Sequence, residues 1–112
     1  MHTVTLTDRR QWSNRLAEFS VRNKGRPAAL EIDDTQLGAQ AQVTDFPFLG
    51  ADYDHTDDRL VIMLGNPTGS TSHLTHSIIA PSSLDILEDG DGKALVLRVG
   101  DDGGQALLTF LA

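Results

Sequence analysis

Cysteine is absent from this 112-residue chain. That one absence excludes disulfides, thiolate metal sites and cysteine nucleophiles, and it suits a reducing compartment. Long apolar runs are missing too. The longest, Leu60 to Leu64, falls far short of the ~20 residues a helix needs to cross a bilayer. The opening "MHTVTLTDRRQW" lacks the apolar stretch of a secretory signal. Lysine is scarce, with Lys24 and Lys93 alone, so the bases are mostly arginine and the acids mostly aspartate; that skew carries no functional information. No repeat, linker or low-complexity segment interrupts the chain. These absences predict a soluble, cytoplasmic protein with no membrane partner.

The composition that remains is that of an ordinary folded domain. With 39% hydrophobic and 22% charged residues, the chain is expected to form a single globular domain over residues 1–112 without a disulfide or metal staple. Charge is its most uneven property. Residues 1–27 carry six basic side chains against two acidic ones, whereas residues 28–112 carry three against fourteen; the whole is −7. A net-acidic chain repels phosphate backbones, so no nucleic-acid partner is expected.

Periodicity divides the chain in the same place. "DRRQWSNRLAEFSVRN" (residues 8–23) sets Trp12, Leu16 and Phe19 on one helical stripe, with Thr7 as N-cap and Gly25 past the end. Glu18 and Arg22 stand in the favourable i, i+4 order. Beyond Pro27 the period becomes two. Strands are expected at 29–33, 37–43, 59–64, 73–79, 84–87, 94–99 and 106–111. "FPFLG" (46–50) is expected to bend. In "LGAQAQV" (37–43), Leu37, Ala39, Ala41 and Val43 alternate with Gly38, Gln40 and Gln42 like a half-buried strand. "GDDGG" (100–104) and "EDGDGK" (88–93) are turn segments. The fold class is therefore α+β: one N-terminal helix packed on a strongly curled, mainly antiparallel sheet of six to eight short strands, either a partly open barrel or an α/β two-layer. "LVIML" is apolar on both faces, which predicts either curling or a partner over the second face.

The residue types that carry chemistry cluster in "DYDHTDD" (52–58) and "SHLTHSI" (72–78). On a helix, His73 and His76 would share a face and chelate together. The β-branched Thr75, Ile78 and Ile79 favour a strand instead, in which the two imidazoles face opposite ways. His76 then joins Leu74 and Ile78 on the inner face, and His73 points outward. The competing reading joins one of these histidines to Asp54, His55 or Asp57 in a zinc-type site, although no spacing demands it. "DGDG" (89–92) fails as an EF-hand, because Lys93 takes the fifth loop position and Gly100 the place of the bidentate glutamate. "GNPTGSTS" (65–72) fails as a phosphate loop, since Gly65 and Gly69 are one residue too close and no lysine follows. No serine stands in a nucleophile elbow; Ser70, Ser72, Ser82 and Ser83 read as loop serines. Arg15 and Arg22 flank the helix stripe, with Lys24 and Arg26 beyond it. They either offset the acidic sheet or form a docking surface for an acidic protein or, as the lesser alternative, nucleic acid.

A helix bearing Trp12 and Phe19, followed by "GRPAALEI", "LGAQ", "FPFLGADYD", "LVIMLG" and "HLTHSIIAP", resembles a widespread group of small uncharacterised bacterial proteins classed as a domain of unknown function. The resemblance spans most of the chain. It implies a bacterial, stand-alone, cytoplasmic domain and no particular activity, and it draws attention to Tyr53, Asp54, His73 and His76. The leading expectation is a non-catalytic protein-binding or regulatory module, engaging another protein or its own copy through the apolar second face of the sheet. The alternative is a small ligand- or metal-binding domain, an enzyme included, built around His73 or His76 with Tyr53 and Asp54. The balance leans away from an enzyme. No cofactor, metal or catalytic residue is assigned.

Overall fold

The α-helix begins four residues later than the expected segment 8–23, at the first residue of the apolar stripe. Asp8, rather than Thr7, supplies the cap: its carboxylate accepts from the Arg10 N–H at 3.1 Å. A 3-10 turn over Arg9–Gln11 follows, and α1 runs Trp12–Asn23. Gly25 at φ +88° then takes a left-handed conformation that suits glycine, and Pro27 opens the first long strand. Glu18 and Arg22 form no ion pair among the described residues. The computed structural model describes residues 1–65 and 73–111; the segment "NPTGSTS", with Ser70 and Ser72, lies outside them.

Among the described residues eight strands precede or follow this helix: β1 His2–Thr5, β2 Pro27–Asp34, β3 Gly38–Asp54, β4 Arg59–Gly65, β5 His73–Ile79, β6 Ser83–Glu88, β7 Ala94–Asp101 and β8 Gly104–Phe110. They form one antiparallel sheet in the order β1-β6-β7-β8-β2-β3-β4-β5. The sheet does not close into a barrel, since β1 and β5 stand at opposite ends of that order. The class is α+β. β1 had no counterpart in the periodicity, because "HTVT" is too short and polar to show one.

β3 organises the sheet. Its first part, Gly38 to Pro47, pairs with β2, and its second, Phe48 to Asp54, pairs with β4 on the opposite edge. The expected bend at "FPFLG" is this change of partner: a 17-residue strand continues through it. The second part would leave its β2-side edge unpaired, an arrangement proteins normally cover. Here the preceding chain covers it. Gly25 N–H donates to Phe48 O at 2.7 Å, and Phe48 N–H donates to Arg26 O at 2.9 Å. Further on, α1 replaces a strand with two hydroxyls. The Ala51 N–H donates to Ser20 Oγ (2.9 Å), the single Ser20 proton lies within reach of both Leu16 O (2.7 Å) and Ala51 O (3.1 Å), and Ser13 donates to Tyr53 O (2.6 Å).

The "LGAQAQV" alternation is broken. Leu30 pairs with Val43 but Glu31 pairs with Ala41, so Gln42 is an extra residue on β3. Past this bulge Ala39 and Ala41 share the face of Glu31 and Asp33, while Val43 turns inward with Leu30. Gly38 to Gln42 are exposed throughout. A second extra residue lies between Val43 and Phe46.

The core forms where α1 meets the inner sheet face. Phe19, Phe48 and Phe110 pack with ring centroids 5.5–5.9 Å apart, and Leu16, Leu30, Leu60, Ile62, Leu64, Leu97 and Leu108 are fully buried. Each such side chain stabilises the fold by about 1.5–3 kcal/mol. Arg26 ties the helix end to the sheet: it donates to Asn23 Oδ1 and to Ala94 O, and its guanidinium lies 4.1 Å from the Phe110 ring. It is therefore part of the scaffold, not of a free basic surface.

Candidate functional site

The four residues that the sequence singled out are dispersed. Tyr53 and Asp54, adjacent on β3, point to opposite faces, and Asp54 accepts from Thr56 N–H within the β3–β4 turn. His73 is exposed at the start of β5, opposite Gly65. His76 lies on the inner face with Leu74 and Ile78, as alternation predicts. β4 separates it from β3, so it stands two inter-strand spacings, about 10 Å, from the strand that carries Tyr53. Among the described residues no three histidine, aspartate or glutamate side chains are placed to hold a metal ion.

His76 faces a small cavity of about 100 Å³ between β5 and the ends of β2, β7 and β8, where Asp33, Asp34, Asp101 and Gln105 also sit. Burial pushes its imidazole below the ordinary value of 6.5, and Asp101 opposes that shift. Asp33 accepts from Gln105 Nε2 at 3.0 Å, which holds its carboxyl below the usual range, whereas Asp33 raises the carboxyl of Glu31 two residues before it.

Tyr53 has a more specific environment. Its ring meets Trp12 edge-on, 5.0 Å between centroids. Its hydroxyl donates to Asp58 Oδ1 at 2.6 Å and accepts from Arg9 Nη1 at 3.3 Å, while Arg9 Nη1 also donates to Asp58 at 3.0 Å. The Arg9 guanidinium lies over the Trp12 ring, 4.5 Å from its centroid. Contact with Tyr53, aided by Asp58, raises the pKa of Arg9. Asp58 adopts φ +48°, a left-handed conformation that aspartate tolerates. Next to this cluster lies a concavity of about 550 Å³ shared with Arg10, Ser13 and His55. Of the residues that matter here, periodicity pointed to Trp12 and the resemblance to Tyr53; Arg9 and Asp58 carried no local signal, being separated by 49 positions.

A second concavity, about 390 Å³, runs between α1 and the β6–β7 turn. Phe19, Ile86 and Ala94 form its floor. Arg15 and Arg22 rim it from the helix, and Lys93 rims it from the turn. Among the described residues Glu18 and Glu88 are the acids that line it, and Glu88 lies 2.9 Å from His2 Nε2. None of the three cations has an ion-pair partner among the described residues. The outer face of β4 is less uniform than its sequence implies. Val61 and Met63 are half-buried and stand in rows with Asp52 and Ser77, and with Gly50 and Thr75.

The match to known proteins is decided by one comparison. The model of DUF5335, a family of unknown function, matches residues 4–112. The chain belongs to that family. The DUF5335 match thus takes in the helix, all but the first residues of β1, and both concavities. No curated protein and no solved structure matches the chain.

Proposed function

We propose that this DUF5335 domain is a non-catalytic binding module whose groove between α1 and the β6–β7 turn receives an acidic segment of a partner protein. One observation carries the reading. In a chain of net charge −7, three cations without ion-pair partners among the described residues rim a single groove with an apolar floor. The three outnumber Glu18 and Glu88, the two acids lining the groove, and such an excess of cations steers an oppositely charged partner and disfavours a like-charged one. The apolar outer face of β4 is the weaker docking surface, because Asp52, Thr75 and Ser77 interrupt it. The dispersal of Tyr53, Asp54, His73 and His76 gives the enzymatic alternative no shared centre.

The test is fluorescence anisotropy with a labelled peptide of alternating glutamate and leucine, at two salt concentrations. Saturable binding that weakens with salt, and weakens about tenfold or more in Arg15→Glu/Arg22→Glu protein of unchanged circular dichroism, is the expected result. Absence of binding at low salt, or binding that ignores the double substitution, overturns it. An oligonucleotide that binds as tightly as the peptide also overturns it.

A further inference from the structure

The concavity beside Tyr53 holds an arginine fixed from one side only. Arg9 Nη1 is engaged twice, by Tyr53 Oη and by Asp58 Oδ1, and the guanidinium carbon lies over the Trp12 ring. Its Nε and Nη2 have no hydrogen-bond partner among the described residues. Those two N–H groups form the parallel fork that receives both oxygens of a carboxylate or phosphate. The neighbouring Arg10 shows that use within the same fold: its Nε and Nη2 grip the two oxygens of Asp8 at 3.0 and 3.1 Å. Arg9 offers the same fork with no carboxylate on it.

We infer that Arg9 is the anchor of a small-molecule site that binds the oxyanion, carboxylate or phosphate, of a ligand with an apolar body. The cavity of about 550 Å³ lies within the ordinary range for small ligands. The stems of Arg9 and Arg10 lend it carbon surface, while Ser13 and His55 supply further polar groups. Asp58 offsets the charge of Arg9, and Asp8 that of Arg10. Recognition therefore depends on fork geometry more than on net charge, which separates this site from the cationic groove across the helix.

Trp12, the single tryptophan of the chain, lies under Arg9 and reports binding by its fluorescence. Titration with benzoate, phenyl phosphate and uncharged benzyl alcohol tells the oxyanion from the ring and the carboxylate from the phosphate. The expected result is a saturable change with at least one oxyanion, none with the alcohol, and amide shifts in the unaltered protein around Ser13, His55 and Asp58. Arg9→Lys keeps the charge but loses the fork, and is expected to weaken binding about tenfold, while Arg15→Glu/Arg22→Glu leaves it unchanged. No saturable change with either oxyanion overturns the inference, as do amide shifts confined to the α1 groove or equal binding by folded Arg9→Lys protein. The outcome is independent of whether the groove binds an acidic peptide.

Discussion

Gly104 shows how sharply a single position is specified. Its φ is +147°, and a Cβ built there would meet the Asp33 carbonyl oxygen at 1.8 Å. That oxygen belongs to the backbone of β2, so the substituted residue cannot be accommodated by rotating a side chain. Gly104→Ala is expected to cost roughly 2–5 kcal/mol, combining backbone strain with overpacking. Thermal unfolding would register a fall of about 10 °C or more for a chain of this size. A wild-type melting temperature would show that β2 and β8 do not approach as described. Gly38, also at positive φ (+80°), has nothing within 4 Å of a built Cβ, so its substitution strains the backbone alone.

At the level of elements, α1 serves as more than a cover for the core. Ser13 and Ser20, seven residues apart, stand in for the hydrogen bonds of a missing strand along β3. Serine is a slightly poorer helix former than alanine, by about 0.5 kcal/mol. Ser20→Ala nevertheless removes the acceptor of the Ala51 N–H, a loss of about 1–3 kcal/mol for a part-buried donor. The loss outweighs the gain in propensity. A net destabilisation near 1–2 kcal/mol is expected in urea unfolding with unchanged m-value. Amide exchange at Ala51 should quicken more than at neighbouring residues. Ser13→Ala strips only a carbonyl of its donor and should cost less; an inverted order would show that the hydroxyls do not seal this edge.

For the whole molecule, the sheet's open seam makes stability depend on pH. His76 faces Asp33, Asp34 and Asp101 across that seam from β5, and its folded pKa lies below the ordinary 6.5. Between those two values the unfolded chain binds the proton and the native protein does not. Stability therefore falls as pH drops below about 6.5 and levels off beneath the folded value. His76→Gln should flatten the urea midpoint between about pH 7 and pH 5.5. An unchanged slope in that variant would assign the effect elsewhere. The lowered carboxyls of Asp33 and Asp89 act in a separate window: their stabilisation is present above the ordinary aspartate value and is lost as pH falls through the lowered one. Glu31, raised, has the opposite sign, stabilising the acid side and losing that contribution as pH rises through its folded value.

Local pattern was enough to establish one helix, then extended chain, with the imidazoles of His73 and His76 on opposite faces. Each of these follows from side-chain spacing along the backbone, which needs no distant partner. The family was legible as well, from short motifs spread over most of the chain. Other features depended on contacts between remote segments. The Gln42 bulge inverts the faces of Ala39 and Ala41 because β2 sets the register of β3. The strand β1 exists because β6 offers it an edge. Arg9, Tyr53 and Asp58 converge because a strand turn arrives beneath the start of the helix, and Lys93 joins Arg15 and Arg22 because the β6–β7 turn faces α1 across the groove. Periodicity carries information over a few residues, whereas a site is assembled by whichever segments packing brings together.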